Sequence, residues 1–98
     1  MSFDVVVSDA LHRRVPRFGA ARMAAFQRAV ADVVKGRAAG KHVHTSSLNK
    51  REFYALEKDG YTLYYSVDPL QPMSLVFEEH LSEEESDLIL ELFTHGGD

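Results

Sequence analysis

The dipeptide Asp59-Gly60 lies between two segments that have the residue pattern of strands, and no other feature of the chain constrains the fold as strongly. Asp-Gly between alternating segments favours a two-residue hairpin turn, which makes the flanking strands antiparallel neighbours. In residues 61–67 the odd positions are apolar or aromatic, whereas the even positions carry hydroxyl groups. This alternation predicts a sheet with one buried and one partly hydrated face, with Tyr65 in the core and Tyr64 outside it.

Other segments show patterns typical of strands and helices. Strands are predicted for residues 3–8, 52–57 and 74–79. A short helix is predicted to begin at Ser8 or Asp9, a longer amphipathic helix covers residues 20–35 and stops at Gly36, and a terminal helix follows the capping box of residues 82–85. Residues 37–49 contain glycine, serine and threonine and are expected to form a surface connection.

The order of these elements predicts an α+β domain covering residues 1–98. An N-terminal strand leads into a helical hairpin, which packs on an antiparallel sheet, and a three-stranded C-terminal meander is followed by a terminal helix. The chain has 98 residues, enough for one core without a disulfide or structural metal. The two helices are expected to cover one face of the sheet, so that the other face becomes the working surface.

Composition excludes several classes of function. The chain has no cysteine, which removes disulfide scaffolds, thiolate metal sites and thiol nucleophiles. No apolar run is long enough to span a membrane and the start does not have the pattern of a signal peptide, so we expect a cytoplasmic protein without membrane contact. Neither a phosphate-binding glycine loop nor a dinucleotide fingerprint is present, and no cofactor is expected.

Charge is divided between the two halves of the chain. Residues 1–51 carry ten Lys and Arg against three Asp, a net charge of +7, whereas residues 52–98 carry one Lys against twelve acids, a net charge of −11. A basic face of this kind attracts nucleic acid or an acidic protein segment. The alternative is that opposite sides of one domain are simply solvated differently and pair their charges.

The arrangement of elements resembles the RelE/ParE superfamily of small bacterial toxins from toxin–antitoxin operons. The segments that carry the resemblance are residues 3–11, the helical pair closed by Gly36, and residues 50–56, 60–68 and 75–80. In that family a strand, a helical hairpin and a curled meander form the domain. Members cut messenger RNA in the ribosomal A site or poison DNA gyrase, and a dedicated antitoxin wraps and silences them.

The resemblance implies a bacterial toxin-like module that inhibits translation and has an antitoxin as its partner. If the chain is an enzyme, it is an endoribonuclease that cleaves ribosome-bound messenger RNA without a metal. RNA-cleaving members commonly carry arginine on the central meander strand, where this chain has Thr62, Tyr64 and Ser66. A non-catalytic protein-binding or dimerisation module on the same fold, or a gyrase-targeting toxin, therefore remains an alternative, and a homodimer remains open.

The catalytic candidates follow from this resemblance together with the chemistry of RNA cleavage. Attack by the ribose 2′-hydroxyl requires a proton acceptor, a proton donor and a cation at the phosphate. Lys50 and Arg51 are expected to hold phosphate, and Tyr54 to stack on a base or donate a proton. His80 is expected just past the last strand, where an ordinary pKa of about 6.5 suits acid or base catalysis. Both His80 and Lys50 are expected at the surface.

Two other groups of residues have interpretations of their own. Arg13, Arg14 and Arg17 form a row on the first helix and are candidates for RNA binding. His42 and His44 are expected on the same side of an extended segment, where His80 would complete a zinc site. No cysteine or definite carboxylate ligand accompanies them, so the site prediction includes no metal.

Overall fold

The α+β architecture expected from the sequence is present in the computed structural model, which describes residues 4–68 and 74–88. The elements are β1 (Asp4–Val7), α1 (Asp9–Arg14), a 3-10 turn (Val15–Arg17), α2 (Ala20–Val34), β2 (Lys41–Thr45), β3 (Glu52–Lys58), β4 (Tyr61–Val67) and β5 (Ser74–Ser82). Residues 83–88 are helical. The predicted continuation of this terminal helix through Ile89, Leu92 and Phe93 lies outside the described residues.

The strands form one five-stranded sheet in the order β1-β5-β4-β3-β2. Strands β2 to β5 form an antiparallel meander, and β1 pairs with β5 in parallel. The predicted hairpin joins β3 to β4, and φ is 57° at Asp59 and 83° at Gly60, the positive values that a type I′ turn requires. The N-terminal strand lies beside the meander, as expected.

The prediction of a plain connection over residues 37–49 is wrong for part of that segment. Residues 41–45 form β2, which adds a fourth strand to the meander and is one edge of the sheet. All of its side chains are exposed. The segment therefore lacks the alternation of buried and exposed residues by which a strand is recognised in a sequence.

The helices pack on one face of the sheet, which we call the helix face. The Ser8 hydroxyl caps α1 by accepting a hydrogen bond from the Leu11 backbone amide at 3.1 Å, as the sequence indicated. The core contains Leu11, Phe26, Leu63 and Phe77, all buried. Burial of Phe26 confirms the predicted apolar stripe of α2, on which Met23, Val30 and Val33 are partly buried.

Two β-bulges change which face individual side chains occupy. Between β4 and β5, Tyr65 pairs with Phe77 but Tyr64 pairs with Glu79, so Glu78 is an extra residue. Between β2 and β3 the register shifts between His42 and His44. An extra residue in one strand inverts the facing of every residue beyond it.

No helix in the described part of the chain is long and apolar enough to cross a membrane.

Candidate functional site

His80 lies inside the protein and not in a surface loop, so its predicted position is wrong. It is part of β5 with 1% of its surface exposed. Its ring centroid lies 5.5 Å from that of Phe18, 5.3 Å from that of Phe26 and 4.9 Å from that of Tyr61. The bulge at Glu78 is the reason, because it turns His80 towards the helix face. With 1% of its surface exposed, His80 is not accessible to an RNA ligand in this conformation.

The surroundings of His80 favour a neutral imidazole. Burial, followed by the positive charges of Arg22 and Arg14, lowers the pKa of His80 to about 4, and Glu85 opposes the shift. Arg22 Nε donates a hydrogen bond to His80 Nδ1 at 3.5 Å, which requires an unprotonated Nδ1. His80 is therefore uncharged at neutral pH.

Two arginines bind the end of the meander to the helices. Arg14 contacts Glu79 at 2.6 Å and Glu85 at 2.9 Å, and Arg22 contacts Glu85 at 2.9 Å. The guanidinium of Arg22 also lies over the Phe18 ring, 4.3 Å from its centroid. We call Arg14, Arg22, Glu79 and Glu85 the arginine clamp.

The arginine clamp shares Glu85 with the predicted capping box of residues 82–85. The Glu85 carboxylate accepts a hydrogen bond from the Ser82 amide at 2.8 Å, and the Ser82 hydroxyl accepts one from the Glu85 amide at 3.2 Å. Burial acts to raise the pKa of Glu85, but the bonds from Ser82 and the charge of Arg22 outweigh it and lower the pKa. Glu85 is therefore ionised at neutral pH and fixes the start of the terminal helical segment.

The arginines predicted to form a row on the first helix have different positions, because Arg13 and Arg14 end α1 and Arg17 lies in the 3-10 turn after it. Arg14 has an ion-pair partner on each side, whereas Arg13 and Arg17 are exposed. Arg13 Nε donates to the backbone carbonyl of Asp9 at 3.3 Å. Two of the three arginines are thus exposed to solvent and the third is committed to carboxylates, and RNA binding by them stays a prediction.

Arg51 is held by the sheet. Its Nε donates to the Ser66 hydroxyl at 2.6 Å, and this hydroxyl donates to Glu78 Oε2 at 2.6 Å. Ser66 is completely buried. These bonds lie on the sheet face opposite the helices, which we call the open face. The Arg51 side chain is thus hydrogen-bonded within a polar network of the protein itself, and phosphate binding by Arg51 stays a prediction.

Lys50 and Tyr54 lie apart from Arg51. Lys50 is exposed, as predicted, in the turn between β2 and β3, where its φ is 63°. Tyr54 lies on the helix face, its ring 5.4 Å from that of Tyr65 in a stacked arrangement, and its hydroxyl donates to Glu52 at 2.7 Å. That hydrogen bond is the main cause of a raised pKa for Tyr54. The structure does not bring the predicted catalytic residues together, since Tyr54 and His80 share one face and Arg51 serves the other.

The two histidines of β2 face opposite sides of the sheet. His42 lies beside Tyr54 on the helix face, with ring centroids 5.5 Å apart, and His44 lies beside Phe53 on the open face, with ring centroids 5.8 Å apart. The bulge between them is the cause, and the expectation that they share a side is wrong. Within residues 4–68 and 74–88, no three His, Asp or Glu residues are arranged to hold a metal ion.

The open face forms a groove of about 950 Å³ that the sequence did not identify. Apolar and aromatic side chains line it, among them Val43, Phe53, Ala55 and Tyr64. The carboxylates of Glu57, Glu83 and Asp87 also line it and are exposed. The Tyr64 hydroxyl contacts the Ser86 hydroxyl at 3.4 Å and so connects the terminal helical segment to the sheet. The sequence of β3 contains part of this surface, because Phe53 and Ala55 face the side of the sheet opposite Tyr54 and Leu56. The groove also includes Val43 of β2, a strand that the sequence did not predict.

The fold agrees with that of a solved structure. A chain in the crystal structure of the archaeal RelE-RelB complex from Pyrococcus horikoshii OT3 superposes with a TM-score of 0.59 and 13% sequence identity, over 84% of this chain and 96% of that chain. The resemblance stated from the sequence is thus confirmed for the fold, which is of the RelE type. No family model and no curated protein sequence matches the chain.

Proposed function

We propose that this chain is the toxin-type member of a toxin–antitoxin pair, that it inhibits translation, and that an antitoxin keeps it inactive. The observation that carries the proposal is the extent of the structural match. A RelE-type fold accounts for 84% of the chain, and the structure it matches is a RelE-RelB complex. Fold alone does not define activity, so the site must supply the mechanism.

The cleaving form of this proposal assigns phosphate binding to Lys50 and Arg51, with Tyr54 and His80 as proton donor and acceptor. It requires these groups to converge on one phosphate. In the structure His80 is buried, and Arg51 is engaged by Ser66. Cleavage would therefore require a rearrangement of β5 and of the residues that precede β3. Of these four residues, only Lys50 is exposed as a phosphate ligand must be.

A second candidate function is protein binding without RNA cleavage, by a non-catalytic module on the same fold. The specific observation that favours it is the separation of the four catalytic candidates, since Tyr54 and His80 lie on the helix face, Arg51 contacts the open face and Lys50 lies in the turn before β3. Inhibition then depends on occupying a site on the ribosome or on another protein. Poisoning of gyrase belongs to the same class, because it requires no nucleolytic residues.

The deciding experiment is protein synthesis in a cell-free translation extract, with transcript integrity followed by primer extension. The wild type is compared with Lys50→Ala and, as a matched control, with Lys35→Ala, since Lys35 is an exposed lysine at the end of α2. Codon-phased cuts lost only in Lys50→Ala would support the cleaving form. Inhibition with intact transcripts would support binding without cleavage.

The partner is tested in cells. Induced expression should arrest growth, and co-expression of the neighbouring reading frame should restore it. Unhindered growth together with unhindered synthesis would overturn the proposal. Growth arrest with normal synthesis would overturn the translation target and make DNA supercoiling by gyrase the next assay.

A further inference from the structure

The groove on the open face has the apolar floor of a protein-docking surface. Val43 is 52% exposed, and Phe53, Ala55 and Tyr64 are each half-buried. Exposed apolar side chains that adjoin one another in a concave surface mark a binding site more often than scattered ones do. The floor belongs to three adjacent strands, β2, β3 and β4.

The charge around this floor is negative and uncompensated. Among the described residues, Glu57, Glu83 and Asp87 form no ion pair, in contrast to the carboxylates of the arginine clamp. Lys58 also adjoins the groove, but its ammonium group contacts Asp32 of α2 at 2.9 Å. Three unpaired carboxylates beside an apolar surface attract a cation more strongly than they would in open water.

We propose that this groove binds a basic amphipathic segment of a partner protein, with apolar side chains on the floor and Lys or Arg side chains at the carboxylates. This inference deepens the proposed function, because the segment would belong to the antitoxin. An acidic rim repels the phosphates of RNA, so a nucleic acid is the wrong occupant for this face. The last ten residues of the chain itself contain Glu91 and Asp98 but neither Lys nor Arg, and they do not complement the rim.

A single-cysteine probe can test the groove directly, because the wild-type chain has no cysteine. Val43→Cys places a fluorophore on the floor, and Ala21→Cys places one on an exposed position of α2 as the matched control. The ligand is a synthetic peptide of Leu and Lys in amphipathic helical order. Its comparison ligands are the same peptide with Glu in place of Lys and a single-stranded RNA of ten nucleotides.

The Leu-Lys peptide should change the emission of the Val43→Cys label and leave that of the Ala21→Cys label unchanged. Equal responses at both labels would overturn the groove assignment. Stronger binding of the Leu-Glu peptide or of the RNA would overturn the charge argument.

Removing rim charge supplies a second, independent test. In unlabelled protein, the double variant Glu57→Gln, Asp87→Asn should weaken binding of the fluorescent Leu-Lys peptide by about tenfold at low salt. Glu84→Gln is the matched control, since Glu84 is exposed but does not line the groove. If both variants weaken binding equally, the peptide responds to the overall field and the proposal fails. These assays use purified components, so their outcome does not depend on whether the protein inhibits translation.

Discussion

The buried histidine of β5 should make the stability of the protein depend on pH in a defined range. The pKa of His80 is about 4 in the folded protein and about 6.5 in the unfolded chain. As the pH falls below 6.5, the unfolded chain binds a proton that the folded protein does not bind. The free energy of unfolding is therefore complete above pH 6.5 and is lost progressively between pH 6.5 and about 4.

The magnitude follows from the size of the shift. At about 1.4 kcal/mol per pKa unit, the full loss is about 3 kcal/mol. At pH 5.5 the unfolded histidine is mostly protonated and the folded one is mostly neutral, which costs about 1.4 kcal/mol. Comparing pH 7.5 with pH 5.5 keeps the measurement above the range in which carboxylates titrate.

Urea unfolding followed by circular dichroism at the two pH values gives the required free energies. The variants His80→Leu and His80→Gln remove the titrating group and should show a correspondingly smaller loss than the wild type. His80→Gln keeps a polar side chain facing Arg22 in case the apolar replacement does not fold. A wild-type stability that is unchanged between pH 7.5 and 5.5 would refute the placement of a neutral, buried His80.

Three further substitutions test other parts of the structure. Lys50→Gly should raise the free energy of unfolding, measured by urea titration, by about 1 kcal/mol, because glycine adopts the left-handed conformation without the steric cost. Lys50→Ala should give no such gain. Glu85→Gln should lower the melting temperature by the equivalent of about 1 kcal/mol, because it weakens the ion pairs of the arginine clamp and the helix cap. Glu84→Gln, at an exposed position, should leave the melting temperature unchanged. Phe26→Asp should abolish the cooperative melt, since it buries an unpaired charge in the core; a normal melt would contradict the assigned face of α2.

Much of the fold could be predicted because its signals are local. Asp59-Gly60 specifies a turn by itself, and the Ser8 cap marks the start of a helix. The apolar residues of α2 recur with the period of a helix, which places them on one face. Strand β2 could not be predicted in this way. Its residues are all exposed, so its sequence carries no pattern of burial and its pairing with β3 appears only in three dimensions.

The site was predicted less well, and the two β-bulges are the physical reason. Strict alternation from Leu75 and Phe77 turns His80 outward, and the extra residue at Glu78 turns it inward. The same kind of irregularity separates His42 from His44. An inserted residue has no signature in the alternating pattern until the register of the partner strand is known. The role of Arg22 has no signal in the sequence, because an arginine off the apolar stripe resembles an ordinary solvated residue.

The parallel pairing of β1 with β5 has a consequence for how the protein is made. Asp4 pairs with Ser74, so the first strand can pair only after residues 74–77 have been synthesised. Closing so long a loop slows folding compared with the local pairing of a hairpin. During translation the meander can begin to form as it emerges, while the β1 segment waits without a partner. The completed sheet is therefore expected to form only after β5 has emerged from the ribosome.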